Sequence, residues 1–179
     1  MRDWNVVVTI RESHFHEAKQ FLETFGRVGK TDYFNVLVMK VDAVDRFLDD
    51  LKQDINAAPI LKSAVSRVMP ASVTFDFQVP AEFEARAVQA VEPWVGRLAG
   101  ASFHVRMHRR GFKERLSSQH EERFLDGLLM QKLGERDAEA RIDFDDPDYV
   151  IDIDTVGQRA GVTLWTREQR LRYPFLKLD

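Results

Sequence analysis

The chain has 179 residues, 44% of them hydrophobic and 31% charged, the balance of a globular protein of one or two small domains rather than a disordered one. It has no cysteine, which excludes disulfides, a thiolate metal site and a cysteine nucleophile, and which fits a reducing, cytoplasmic location. A net charge of −3 argues against a generic nucleic-acid coat, and with no apolar run of about 18 residues and no signal peptide, no membrane partner is expected.

Trp4 to Ile10 is short and β-branched, which predicts a strand. His14 to Phe25 then places Phe15, Ala18, Phe21, Leu22 and Phe25 at helical spacing, and Gly26 stops the helix. Arg27 to Tyr33 and Phe34 to Val41 read as a hairpin turning at Asp32 to Asn35. Asp42 is the expected N-cap of a second helix with an apolar stripe of Val44, Phe47, Leu48, Leu51 and Ile55, ended by the run from Asn56 to Pro59. Ile60 to Met69 supplies a last strand. The order βαββαβ is that of a ferredoxin-like domain, a fold with many uses.

Two prolines, Pro70 and Pro80, bracket an alternating stretch in which the domain boundary is expected, giving domains 1-76 and 77-179. A helix over Ala81 to Leu98 buries Phe83, Ala87, Ala90, Val91, Trp94 and Leu98, with a kink at Pro93. Phe103, Val105 and Met107 alternate with His104, Arg106 and His108, the period of a strand with one apolar and one basic face. Gly111 turns the chain. Ser118 and Glu121 form a capping box for a helix with the stripe Phe124, Leu125, Leu128, Leu129 and Leu133, closed by Gly134. Short strands follow at Ala140 to Phe144, at Tyr149, Ile151 and Ile153 alternating with Asp152 and Asp154, and, after a turn from Val156 to Gly161, at Val162 to Thr166. The tail from Arg167 is basic and then apolar, so it is expected to dock on the body.

Charge is polarised along this second part. Arg106, Arg109, Arg110, Lys113 and Arg115 are opposed only by Glu114 between Ala101 and Arg115, whereas residues 135 to 154 are rich in Asp and Glu. Arginine forks and the positive end of the Ser118 helix together make a place for phosphate. The alternative is a solvated basic edge that balances the acidic half. Arg123, one turn into the helix, either reaches the same anion or pairs with Glu122 or Asp126. Arg159, Arg167, Arg170 and Arg172 flank the same groove if the last strand lies beside the Phe103 strand; otherwise they neutralise the acidic strand. Phe112 is the first candidate for stacking on a base, with Trp165 and Tyr173 next. His108 joins the basic face as an RNA contact. Asp143, Asp145, Asp146 and Asp148 lack the glycine and distal glutamate of a calcium loop, so neither a metal nor any other cofactor is expected.

The second part resembles a THUMP domain, an RNA-binding module of tRNA 4-thiouridine synthetases, several tRNA methyltransferases and the tRNA adaptor of a cytidine acetyltransferase. The resemblance rests on Phe103, Val105, Arg106, Arg109, Arg110 and Gly111, on Ser118, Glu121 and Arg123 opening the next helix, on Asp146, Pro147 and Asp148 before the strand YVIDID, and on the glycine-flanked final strand GVTLW. In that family a ferredoxin-like domain precedes the THUMP α/β domain, in agreement with the α+β order read from pattern alone. Enzymes of the family carry a catalytic unit after that domain, whereas only about a dozen residues follow it here, so none is expected; Asp126 before Gly127 also differs from the family's helix opening. The resemblance therefore implies a non-catalytic protein that grips the acceptor end of tRNA and presents it to a modifying enzyme, with Arg106, His108, Arg109, Arg110, Phe112, Lys113, Arg115, Ser118, Arg123, Arg167 and Arg170 as the RNA-binding residues. Two rivals stand beside it. One is a metal-dependent phosphoesterase using Asp145, Asp146 and Asp148 with His108 as base. The other is a protein-interaction module that works through the first domain's sheet edge without RNA.

Overall fold

A computed structural model of the chain describes residues 1–177, with no account of the Glu12 side chain. The chain divides into two compact units, Met1–Ala71 joined by the segment that starts at Arg172, and Ser72–Leu171. Among the described residues no helix is long and apolar enough to cross a membrane.

The first unit runs β1 (Val6–Ile10), α1 (Phe15–Leu22), β2 (Arg27–Lys30), β3 (Val36–Lys40), α2 (Val44–Ala57), α3 (Pro59–Ala64) and β4 (Val65–Pro70). Its sheet is antiparallel in the order β2-β3-β1-β4, the ferredoxin-like arrangement that the sequence order predicts. Gly26 sits where the chain leaves α1 for β2, and a Cβ there would come within 2.3 Å of the Lys40 carbonyl oxygen, so only glycine allows this close approach. Two expectations are corrected. Ile60 to Ala64 is helical rather than extended, because Pro59 opens α3 at its first turn, where a missing N–H does no harm. Asp42 does not cap α2; the cap position is Ala43, with no side-chain hydrogen bond.

The tail returns to this unit. Phe175 accepts a hydrogen bond from Val68 N at 2.8 Å, Arg172 and Tyr173 both reach Asp49 at 2.7 Å, and Tyr173, Phe175 and Leu176 are buried. Leu178 and Asp179, the end of the expected docking segment, lie outside the described residues.

The second unit runs β5 (Val73–Asp76), α4 (Pro80–Val91), a 3-10 turn (Glu92–Trp94), α5 (Val95–Leu98), β6 (Ser102–Arg110), α6 (Ser118–Gly134), β7 (Arg141–Ile142), β8 (Tyr149–Val156), β9 (Arg159–Thr166) and α7 (Arg167–Arg172). The sheet order is β5-β9-β8-β6-β7. β5 pairs with β9 over Val73 to Asp76, which places this stretch in the second sheet and moves the division ahead of residue 76. Pro93 interrupts the long helix, as its lost donor requires. Phe103, Val105 and Met107 of β6 meet Ile151 and Ile153 of β8, Phe83 and Val91 of α4 and Leu125, Leu129 and Leu133 of α6 in one core. Each such side chain contributes roughly 1.5–3 kcal/mol by leaving water.

Among the described residues, β6 has no strand on its β7 side beyond Phe103, since β7 pairs only with Ser102 and Phe103. α6 takes over there. Asp126 Oδ1 accepts from Val105 N and Glu122 Oε1 accepts from Met107 N, each at 2.8 Å, so two carboxylates one helical turn apart satisfy donors that a neighbouring strand would otherwise meet.

Candidate nucleic-acid interface

β6 and β8 run parallel, with Arg106 opposite Asp152, His108 opposite Asp154 and Arg110 opposite Val156. The basic and acidic stretches of the sequence are therefore neighbours on one face of the sheet. Asp154 is fully buried, and Arg110 Nη1 lies 2.9 Å from its Oδ2. His108 Nδ1 is 3.5 Å from Asp154 and 3.7 Å from Asp152. Arg110 thus compensates buried Asp154, His108 stands beside both aspartates, and Arg106 is exposed on the same face. His104, also on it, donates from Nδ1 to the Asp143 carbonyl at 2.8 Å, and burial holds its imidazole below the ordinary histidine range.

The turn after β6 is conformationally unusual. Gly111 has φ 98°, but Phe112 and Glu114, at 52° and 66°, also take the left-handed conformation, at a cost of roughly 1–3 kcal/mol each. Arg115 N and Leu116 N both donate to the Phe112 carbonyl at 3.0 Å, and an Arg109 Nη1 donates to the Gly111 carbonyl. Phe112 is not an open stacking platform. Its ring packs 4.9 Å from that of Phe77, with the Arg115 guanidinium 4.9 Å from its centroid. Trp165 and Tyr173 are buried as well.

The N-cap of α6 is Ser117, whose hydroxyl accepts from His120 N at 3.4 Å. The expected capping box fails because this cap lies one residue ahead of Ser118. His120, not Glu121, then stands at the third helical position, from which a side chain returns to the cap. Glu121 is left buried with its Oε2 lacking a hydrogen-bond partner, and burial, followed by the charge of Glu84, pushes its carboxyl up to about 7. A cleft of about 660 Å³ opens at this helix start, lined by Arg109, Arg115, Ser117, Ser118 and Gln119 on one hand and by Pro80, Glu84, His120 and Glu121 on the other. An α-helix leaves its first N–H groups without intrahelical partners, so those of Ser118 and Gln119 add partial positive charge beside the two arginines, in a lining that also holds Glu84, Glu114 and Glu121.

Of the residues predicted from sequence, Arg109, Arg115 and Ser118 come together in this cleft, and Lys113 and Arg123 are exposed on the same loop and helix. Arg167 and Arg170 do not join them. β8 lies between β6 and β9, so the last strand is not beside the Phe103 strand. Arg167 binds Asp146 and Asp148, each at 2.9 Å, and Arg170 donates to the Pro147 carbonyl. Those partners precede β8, at the opposite end of the sheet from the basic turn. Arg159 likewise pairs with Asp76 at 3.1 Å. Sequence reasoning missed Ser117, Glu84 and His120: the Ser117-Ser118 pair offers two caps, and nothing in the spacing joins Glu84 to a helix that begins 34 positions later. It also missed Phe144, an aromatic 72% exposed among aspartates with its ring 5.4 Å from that of His104.

No family model and no curated protein matches the chain. Solved structures do. PH1313 from Pyrococcus horikoshii Ot3 aligns over 90% of this chain and 54% of its own, with a TM-score of 0.55 at 11% identity. A 4-thiouridine synthetase in complex with RNA and with bound ATP aligns over 89% of this chain and 40% of its own, with a TM-score of 0.55 at 16% identity. TrmN from Thermus thermophilus aligns over 90% and 44%, with a TM-score of 0.54 at 17% identity. The chain spans about half or less of the length of these proteins, and what it shares with them is a fold of two α+β units.

Proposed function

We propose that the chain is a tRNA-binding protein of the THUMP kind that holds the acceptor end in the cleft at the start of α6 and presents the molecule to a modifying enzyme, with no chemistry of its own. The observation that carries this reading is the convergence of Arg109, Arg115 and the α6 N–H groups on one cleft, beside exposed Lys113. Such a grip fixes position and affinity through phosphate, while selectivity comes from RNA shape and its single-stranded end. Its fold is shared with a 4-thiouridine synthetase that binds RNA, which supports RNA as the ligand.

The phosphoesterase alternative fits poorly. His108 lies opposite Asp154, six strand positions from Asp148, so roughly 20 Å separates the base from the aspartates it would work with. Asp148 accepts from Ser102 N and Oγ and pairs with Arg167, a binding pattern that holds a strand entry in place.

The test is a fluorescence-anisotropy titration with whole tRNA and with tRNA lacking its 3′ end, using the native chain and an Arg109→Ala, Arg115→Ala variant checked for fold by circular dichroism. The native chain is expected to bind with a log-log salt slope of roughly −2 to −3, and the variant to lose about one to two of that slope along with affinity. Equal binding by the variant refutes the cleft. Equal binding of both RNAs refutes the acceptor-end assignment, and no binding at all favours a protein-interaction module.

A further inference from the structure

Among the described residues two groups bring three potential metal ligands within 4.8 Å of one another: His108 with Asp152 and Asp154, and Glu84 with His120 and Glu121. They differ in how the carboxylates are already compensated. In the first, the Arg110 guanidinium stands 2.9 Å from Asp154, so the protein supplies its own cation. In the second, Glu121 is 2% exposed and its Oε2 is buried without a hydrogen-bond partner. A buried acceptor in that state costs free energy until a donor or a cation meets it.

We propose that Glu84, His120 and Glu121 bind a divalent first-row transition-metal ion, zinc or one like it, in the cleft. One imidazole nitrogen with two carboxylate oxygens suits such an ion, whereas magnesium and calcium take all-oxygen sets. An ion about 2.0–2.2 Å from each ligand holds the ligand atoms no more than about 4.4 Å apart. His120 Nε2 and Glu84 Oε1 stand 3.8 Å apart, already within that span. The three residues come from two helices packed in one unit, Glu84 from α4 and the other two from the first turn of α6, so two separate elements converge on the ion. The side chains of His120 and Glu84 are 67% and 33% exposed, which leaves the outer side of the ion to water or to a ligand in the cleft. The start of α6 carries about half a positive charge and opposes a cation, but two carboxylates outweigh it.

The ion would also change the character of the cleft. Arg109 and Arg115 face Glu84, Glu114 and Glu121 there, so the lining has a negative excess that a divalent cation reverses. The site itself is read from its ligand set and stands or falls without RNA.

The experiment is isothermal titration of zinc chloride, and separately magnesium chloride, into the native chain at pH 7.5, with variants at exposed His120 (His120→Asn) and half-buried Glu84 (Glu84→Gln) and a His14→Asn, His16→Asn control. The native chain and the control are expected to bind about one equivalent of zinc, each cleft variant to bind it roughly tenfold more weakly or worse, and magnesium to show no comparable binding. The absence of saturable zinc binding by the native chain overturns the proposal, and so does zinc affinity that is unchanged in both cleft variants or lost in the control.

Discussion

Asp126 gives the most direct check on how α6 is held against β6. Its carboxylate accepts from Val105 N at 2.8 Å, yet the residue is 8% exposed, and burial, with the Glu122 charge adding to it, pushes its carboxyl from 3.8 to about 7. The hydrogen bond favours the charged form and offsets only part of this. Because the folded value lies above the unfolded one, the native state holds its proton over a wider range. Stability is greatest below about pH 4, falls as pH rises from about 4 to 7, and is flat above that. At about 1.4 kcal/mol per tenfold change, ionisation removes on the order of 2 to 4 kcal/mol by pH 8. Asp126→Asn keeps an oxygen for Val105 N and cannot ionise. Urea unfolding at pH 4.5, 6 and 8, followed by the fluorescence of Trp94 and Trp165, both in this unit, should show the variant gaining on the native chain by roughly 2 kcal/mol or more between the lowest and highest pH. At pH 4.5 the variant should be equal or slightly less stable, since its amide N–H₂ needs a partner that the protonated acid does not. A difference between the two chains that stays constant with pH would refute the reasoning.

Two further outcomes follow from the geometry of β6 and its turn. Arg110→Ala should cost about 3 kcal/mol or more by leaving buried Asp154 without its arginine, and Asp154→Asn in the same chain should recover part of that loss in the same urea assay. Glu114→Gly should raise stability by about 0.5–1 kcal/mol, because φ 66° is strained for glutamate and open to glycine; an unchanged or lower urea midpoint would count against strain at this turn.

The elements that sequence periodicity specifies are those in which one face is apolar throughout. Phe103, Val105 and Met107 announce β6, and the stripe from Leu125 to Leu133 announces α6, because both bury that face in a single core. Periodicity is silent on which strands are neighbours. Asp152 and Asp154 alternate with Ile151 and Ile153 as solvent-facing residues do, yet both aspartates are buried, since β8 lies in register with a strand of arginine and histidine. The same pairing removes Arg110 and His108 from the outward-facing set, and the pairing of β8 with β9 brings Arg167 to Asp146 and Asp148, through contacts 19 or more positions apart in the chain. At the α2 to β4 connection the apolar pair Ile60 and Leu61 fits a strand as well as a helix, and only the proline ahead of it tips the balance. One residue separates the predicted from the observed cap of α6, and that shift determines whether Glu121 bonds the backbone or is left facing Glu84 and His120.

The same internal compensation bears on how this chain would meet an RNA. Arg110, Arg159 and Arg167 are matched to Asp154, Asp76 and the Asp146-Asp148 pair at 2.9 to 3.1 Å, so much of the arginine charge is cancelled within the second unit. The whole chain's net charge of −3 supplies no long-range attraction for an RNA. Lys113, Arg115 and Arg123 are exposed around the end of β6 and the start of α6, and Arg86, Arg97, Arg136 and Arg141 are exposed elsewhere in the unit. A protein built this way gains little from long-range steering and depends on contacts made within a Debye length, about 8 Å at physiological salt. On the proposed reading, a few local phosphate contacts at the cleft hold the RNA end in place. The proposed cation would act on the same balance at its most sensitive point, by adding positive charge where two arginines and three glutamates already stand close together.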